Sequence, residues 1–253
     1  KTANIYRANQ LEKDFVVPKS ILYENQEFTI TKILENSFMR ISSLTSIQFA
    51  SDSKLTTIEP NAFCFSSIQS IMIPSHVTEI KENVFTDCKL LKTIDFCENS
   101  QLTIIHKNAF YNSSLESLVI PASVEELFDG WCSLTKNLID IKIMDGNKNF
   151  ILYDNKFILR KSDNKNENYD VLLFARRDIE TAIIPSFIKE ISSYSFDSCN
   201  KLRQIIIPPT SELKSISQYS FYMSSLQEIR IPQHVNIIGE SAFSNCKNLK
   251  KVD

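Results

Sequence analysis

The sequence predicts an α/β repeat fold: a solenoid of stacked rungs, each a strand, a turn and a short helical turn. Three observations predict it. One pattern recurs along the chain: an aliphatic, a small residue before Phe, then Leu, then Ile-x-Ile, often closed by Pro. Its fullest instance runs from Ile191 to Pro208. The first aliphatic falls at Ile33, Ile58, Ile80, Ile105, Leu127, Ile191, Ile216 and Ile238, in steps of 25, 22, 25 and 22, then 64, then 25 and 22. Long and short rungs therefore alternate, and the 64-residue step matches one long rung plus a short rung expanded by 17. Lastly, apolar pairs one residue apart alternate with period two, as a strand with one buried face requires. Self-similarity at a fixed period is the signature of a repeat architecture, and here it predicts one elongated unit.

In chain order, residues 1–13 carry no clear pattern. Phe15-Val-Val-Pro18 and Ile21 to Ile30 read as extended segments around a polar turn at Glu24–Glu27, making residues 1–32 a hairpin-like cap. Repeats fill 33–149. Within each, Phe recurs five residues after the first aliphatic, at 38, 63, 85, 110, 196, 221 and 243. Asn two before Phe, at 36, 61, 83 and 108, reads as the N-cap of a short helical turn. The apolar strand pairs are Ile47/Phe49, Ile71/Ile73, Ile94/Phe96, Leu118/Ile120, Ile141/Ile143, Ile205/Ile207 and Ile229/Ile231. The expanded rung, residues 150–183, predicts an inserted β-hairpin of two or three antiparallel strands projecting from the stack, with a polar loop at Ser162–Asn168. Repeats resume over 184–253 and stop in mid-repeat at Val252-Asp253, which reads as an excised fragment with targeting and anchoring segments elsewhere.

Composition excludes several functions. A net charge of −2 predicts no affinity for nucleic acid or acidic lipid. With only 3 Gly, the chain has no phosphate-cradling loop of the GxGxxG or GxxxxGK[ST] kind. No apolar run is long enough to span a membrane, so no membrane contact is expected from this stretch.

The six cysteines (64, 88, 97, 132, 199, 246) read as buried free thiols. Cys88, Cys199 and Cys246 all follow a Phe by three residues, in one interior slot. Cys199 and Cys246 are two rungs apart, roughly 10 Å at about 4.8 Å per strand, whereas a disulfide needs Cα atoms within about 7 Å. No CxxC or close Cys/His cluster exists, so no metal is expected. His76 and His234 share one slot six rungs apart, about 29 Å by the same spacing, and His106 lies in another. No motif places a nucleophile with a base, so no catalytic residue and no cofactor are assigned. Asp163-Asn-Lys-Asn-Glu-Asn lacks the Gly and ligand order of a calcium loop. In Leu127-Phe-Asp-Gly-Trp131-Cys132 a Cys stands where Phe belongs, and the lone Trp reads as filling that volume rather than as a binding aromatic. Asn112-Ser-Ser114 matches a glycosylation triplet if the chain is exported, and otherwise is a turn.

The signature I-x-x-x-A-F-x-x-C-x-x-L-x-x-I-x-I-P, seen at Ile238 to Leu249 and Ile191 to Pro208, resembles the BspA-type leucine-rich repeats of bacterial surface adhesins and protist surface proteins. It departs from the commoner leucine-rich repeat by placing Pro74, Pro121, Pro185, Pro208 and Pro232 where Asn is usual after the strand. The resemblance implies a right-handed solenoid with parallel strands on a concave inner face, inserted hairpins, and often a role in adhesion.

The recurring residues face the core, so recognition is sought in what varies. On the strand face the outward residues are Gln48, Met72, Asp95, Val119, Lys142, Ile183, Ile206 and Arg230, joined by Arg203 and Gln204. Glu116, Asp140, Glu180, Glu228 and Lys251 add a mixed-charge surround. Four of the eight central positions are apolar on a face that water should favour as polar, which marks a partner site unless flanking strands cover them. The expected function is a non-enzymatic protein-binding or adhesion module at the cell surface or secreted, meeting host-cell or matrix proteins through this face, the inserted hairpin or both. The alternative is a cytoplasmic scaffold, which unpaired cysteines favour. The sequence leaves the oligomeric state open.

Overall fold

The computed structural model describes residues 1–7, 12–163 and 167–253. Residues 164–166, part of the predicted polar loop, lie outside the described residues. The chain divides into two compact units, one of residues 1–135 with 144–146, the other of 136–143 with 147–253.

In the first unit each rung supplies two strands, not one. The predicted apolar pairs form four-residue strands, Ser46–Phe49, Ser70–Ile73, Thr93–Phe96 and Ser117–Ile120, paired in parallel. The first aliphatics lie in a second parallel sheet of shorter strands: Thr57–Ile58, Glu79–Ile80, Ile104–Ile105 and Glu126–Leu127. Gln26–Ile33 begins that sheet, with Thr2–Ile5 parallel on one edge. Ser20–Tyr23 folds back antiparallel onto it, so the predicted hairpin is present. Its turn residues Glu24 and Asn25 have φ of 47° and 60°, the pair of positive values that suits the twist of a two-residue hairpin. Asp14–Val17 is a rung strand in its own right, parallel to Ser46–Phe49.

The short helical turns are a correction, because no helix occurs among the described residues. The tract around each Phe is a run of turns. Asn36, Asn61, Asn83 and Asn108 have φ of 58–60°, and Arg40, Phe65, Asp87 and Asn112, two after each Phe, have φ of 52–60°. A left-handed residue at both positions breaks the run of right-handed φ that a helix needs. The amide bonds show the same thing. Phe38 N–H donates to the Ala62 carbonyl at 2.8 Å, Phe63 to Val84 at 3.0 Å and Phe85 to Ala109 at 2.8 Å, each across to the next rung. The intervening amides close local turns, as Cys64 N–H does onto the Asn61 carbonyl at 3.0 Å. Asn is thus a left-handed turn residue, not a helix cap: its short polar side chain tolerates positive φ better than most. The fold is accordingly a β-solenoid of strands and turns, not an α/β repeat.

The phenylalanines stack into a column. Phe38 and Phe63 lie 5.0 Å apart, Phe63 and Phe85 5.5 Å, and Phe85 and Phe110 5.7 Å, with planes within 19°. Trp131 ends the column edge-on to Phe110 at 6.0 Å and is buried, so it fills the place that Cys132 leaves.

In the second unit Phe150–Tyr153, Phe157–Arg160 and Val171–Ala175 form an antiparallel meander. It does not project from the rungs: Phe157, Leu159, Leu172 and Ala175 belong to the unit's core. Val171–Ala175 then pairs in parallel with Glu190–Ile191, followed by Ser215–Ile216 and Ile237–Ile238. Phe157, Phe196, Phe221 and Phe243 form an aromatic row of this unit's own, at 6.1, 5.0 and 5.2 Å. The other sheet is parallel, in the order Thr181–Ile183, Gln204–Ile206, Glu228–Ile229, Lys251–Val252.

Candidate functional site

Alternation turns every second strand residue away from the core, and exposure decides whether neighbours cover it. They do not: Met72 is 57% exposed, Val119 41%, Ile183 61% and Ile206 39%. Gln48, Asp95, Lys142, Arg203 and Arg230 are exposed too, while Gln204 is half-buried.

The first unit brings Gln48, Met72, Asp95 and Val119 onto one sheet, with Met72 and Asp95 direct register partners. Val16 joins them opposite Gln48 and is 57% exposed. The cap reading of residues 1–32 passes over it, although Phe15-Val-Val17-Pro18 has the Ile-x-Ile-Pro form of a rung strand. The second unit pairs Ile183 with Ile206, and Arg230 follows the strand Glu228–Ile229. Lys142 lies on Asp140–Ile143, outside that unit's four-strand sheet. Polar contacts flank the rows: Lys92 pairs with Glu116 at 2.8 Å, and the neutral Gln204 amide donates to Glu228 at 3.0 Å.

The remaining reactive residues serve the fold. All six cysteines are free. Burial pushes the Cys88 thiol up to about 12 and the Cys199 thiol to about 11, so neither offers a thiolate nucleophile near neutral pH. Cys88 Sγ donates instead to the Phe63 carbonyl at 3.1 Å, and Cys246 Sγ to the Phe221 carbonyl at 2.9 Å. His106 pairs with Glu79 at 2.9 Å and stacks on Phe128 at 5.0 Å, and His76 meets Ser75 at 3.3 Å. Among the described residues no group of three His, Cys, Asp or Glu is placed to hold a metal. Asn112 donates through its side-chain amide to Asp87 at 2.7 Å and is half-buried.

Parallel rungs around an aliphatic and aromatic core, with an open and variable strand face, define a repeat protein of the leucine-rich kind. The chain belongs to the BspA type leucine rich repeat region family, which it matches in six copies over residues 19–144 and 170–253. Among solved structures it resembles the pneumococcal vaccine antigen PcpA, with a TM-score of 0.78 and 24% identity over 98% of this chain and 73% of that one. It also resembles a leucine-rich repeat protein of Eubacterium ventriosum, with a TM-score of 0.73 and 27% identity over 89% of this chain and 57% of that one. A leucine rich cell surface protein of Faecalibacterium prausnitzii gives a TM-score of 0.58 at 19% identity, over 100% of this chain and 90% of that one. No curated protein matches in sequence.

Proposed function

We propose that this chain is a non-enzymatic protein-binding module of a surface or secreted protein, meeting host-cell or matrix proteins through its strand faces. The observation that carries the reading is the exposure of Met72 and Val119 within paired strands, and of Ile183 and Ile206 at the ends of theirs. Nothing in the packing requires large apolar side chains there, and apolar patches left open to water mark interaction sites. The family, and the likeness to a vaccine antigen and to a leucine rich cell surface protein, support the setting. The meander Phe150–Ala175 sends Phe157, Leu159, Leu172 and Ala175 into the core, which weighs towards the strand faces as the binding element.

A variant with all four residues replaced by Asp should lose adhesion to cultured epithelial cells and immobilised matrix proteins while keeping its circular dichroism. Undiminished adhesion by the folded variant would remove the strand faces from consideration. A second reading, an intracellular scaffold, is favoured by the six free cysteines, since exported domains tend to oxidise theirs.

A further inference from the structure

We infer that the free edge of Thr181–Ile183 takes an extended, uncharged and Pro-free segment of a partner protein, held by backbone hydrogen bonds as an added strand. This deepens, and rests on, the reading of the strand faces as protein-binding surfaces. In the second unit the sheet of first aliphatics has six strands and the strand-face sheet four. The two extra strands, Phe150–Tyr153 and Phe157–Arg160, have no counterpart on the strand face. The ladder there is interrupted accordingly. Asp140–Ile143, the preceding rung strand and part of the same unit, does not pair with Thr181–Ile183. Arg177 N–H still reaches the Leu138 carbonyl at 3.3 Å just ahead of the strand, but among the described residues no backbone bond follows it along that edge.

The groups that the edge offers follow from the bonds on its other side. Gln204 N–H donates to the Glu180 carbonyl at 3.4 Å, and Ile184 N–H to the Ile206 carbonyl at 2.9 Å. In a parallel ladder, residues that bond to one neighbouring strand alternate with residues whose backbone groups point away from it. Glu180, Ala182 and Ile184 therefore face Gln204–Ile206, and the N–H and C=O groups of Thr181 and Ile183 face the open edge. Both of these residues are exposed. Such an edge is a template for another strand. The exposed charges beside it, Glu180 and Arg203, are opposite in sign, so neither an acidic nor a basic segment is favoured. Selection falls instead on a backbone with its N–H groups intact, which excludes Pro. Ile183 and its register partner Ile206 then offer aliphatic contact to alternate side chains of the segment. A second folded copy would meet only this edge, about 10 Å of strand, too short to build the roughly 1,200 Å² of a stable interface. A flexible segment can pair with the edge and also reach over the two isoleucines.

The test uses the folded chain and a fluorescent peptide alternating Thr and Val, read by anisotropy, beside the same peptide methylated on every backbone nitrogen. The plain peptide should bind, and the methylated one about tenfold or more weakly, because its donors are gone. Thr181→Pro removes an N–H from the free edge while sparing the bonds to Gln204–Ile206, and should weaken binding to a similar degree. Thr181→Val keeps that N–H and should bind as the native chain does. The inference falls if the plain peptide does not bind, if the methylated peptide binds as well, or if a folded Thr181→Pro binds unchanged. Should Thr181→Pro lose its circular dichroism, the methylated peptide decides alone. A dimer seen by light scattering and abolished by Thr181→Pro would make a second copy the occupant and overturn the inference too. The cell-adhesion assay separates this from the broader reading. If Thr181→Pro adheres normally while Ile183→Asp with Ile206→Asp does not, only the added strand fails. If neither variant changes adhesion, this strand face is excluded altogether.

Discussion

At the scale of single residues, the slot three after each Phe shows how chemistry is assigned by backbone geometry. The left-handed residues divert alternate amides to the next rung, and a side chain then supplies a donor to the Phe carbonyl. Cys88 and Cys246 fill this role for Phe63 and Phe221, and Thr135 does the same for Phe110 at 2.9 Å. The requirement is a small donor, not a thiol. Cys88→Thr should therefore stay within about 1 kcal/mol of the native stability, whereas Cys88→Ala should lose roughly 1–2 kcal/mol, measured by urea unfolding. Ser195 shows the reverse case. Its hydroxyl is buried with no partner, in the slot that holds Ala62, Ala109 and Ala242. Ser195→Ala is expected to be neutral or stabilising in the same assay, since an unpaired buried hydroxyl carries a desolvation cost. The recurrence of Cys is legible in the sequence, and so is its interior position. Its acceptor is not, because that carbonyl belongs to the preceding rung and is left over only by the turn geometry.

At the scale of elements, the phenylalanine column joins neighbouring rungs through contact on both ring faces. Phe85 stacks on Phe63 and on Phe110, so Phe85→Ala opens a cavity between two rings. A loss of about 3–5 kcal/mol is expected in chemical unfolding. In the second unit, Asp170 ties the start of a rung strand to what flanks it. It accepts from the Ser162 amide at 2.9 Å, the Ser162 hydroxyl at 3.0 Å and Lys189 at 3.0 Å. Burial alone would raise its carboxyl, but the Lys189 and Ser162 bonds outweigh that and hold it below the usual carboxylate range. A carboxyl lowered by folding stabilises fully above its unfolded value, near pH 4, and loses that contribution as pH falls through its folded value. The stability gap between the native chain and Asp170→Asn should therefore be constant near neutrality and close below about pH 4. Strands were readable here because alternation is a local signal. The helical turns were misread because Asn before an apolar run serves a helix cap and a left-handed turn equally well, and only inter-rung hydrogen bonds distinguish the two. The meander was readable as antiparallel strands, but not its burial, since Phe157 and Leu172 occupy core places that no repeat spacing marks.

At the scale of the molecule, repetition builds the core, and the strand residues that differ from rung to rung are left exposed. Period-two alternation identified most of that surface from sequence: Met72, Val119, Ile183 and Ile206 are all open to water. Val16 escaped because a hairpin follows it directly, which hid its strand among the cap residues. The Gln204–Glu228 hydrogen bond and the Lys251–Asp253 ion pair could not be read from sequence, because each depends on side chains meeting across or along strands. The central claim is that the partner reads the strand faces and not the turn side. Phe65 and Met223 provide matched controls, being 46% and 43% exposed on the turn tracts. The direct measurement is adhesion by two folded variants, Met72, Val119, Ile183 and Ile206 changed to Asp in one, Phe65 and Met223 changed to Asp in the other. Loss of binding in the first alone is the predicted result. Loss in the second with retention in the first would contradict the account and move the interface to the turns.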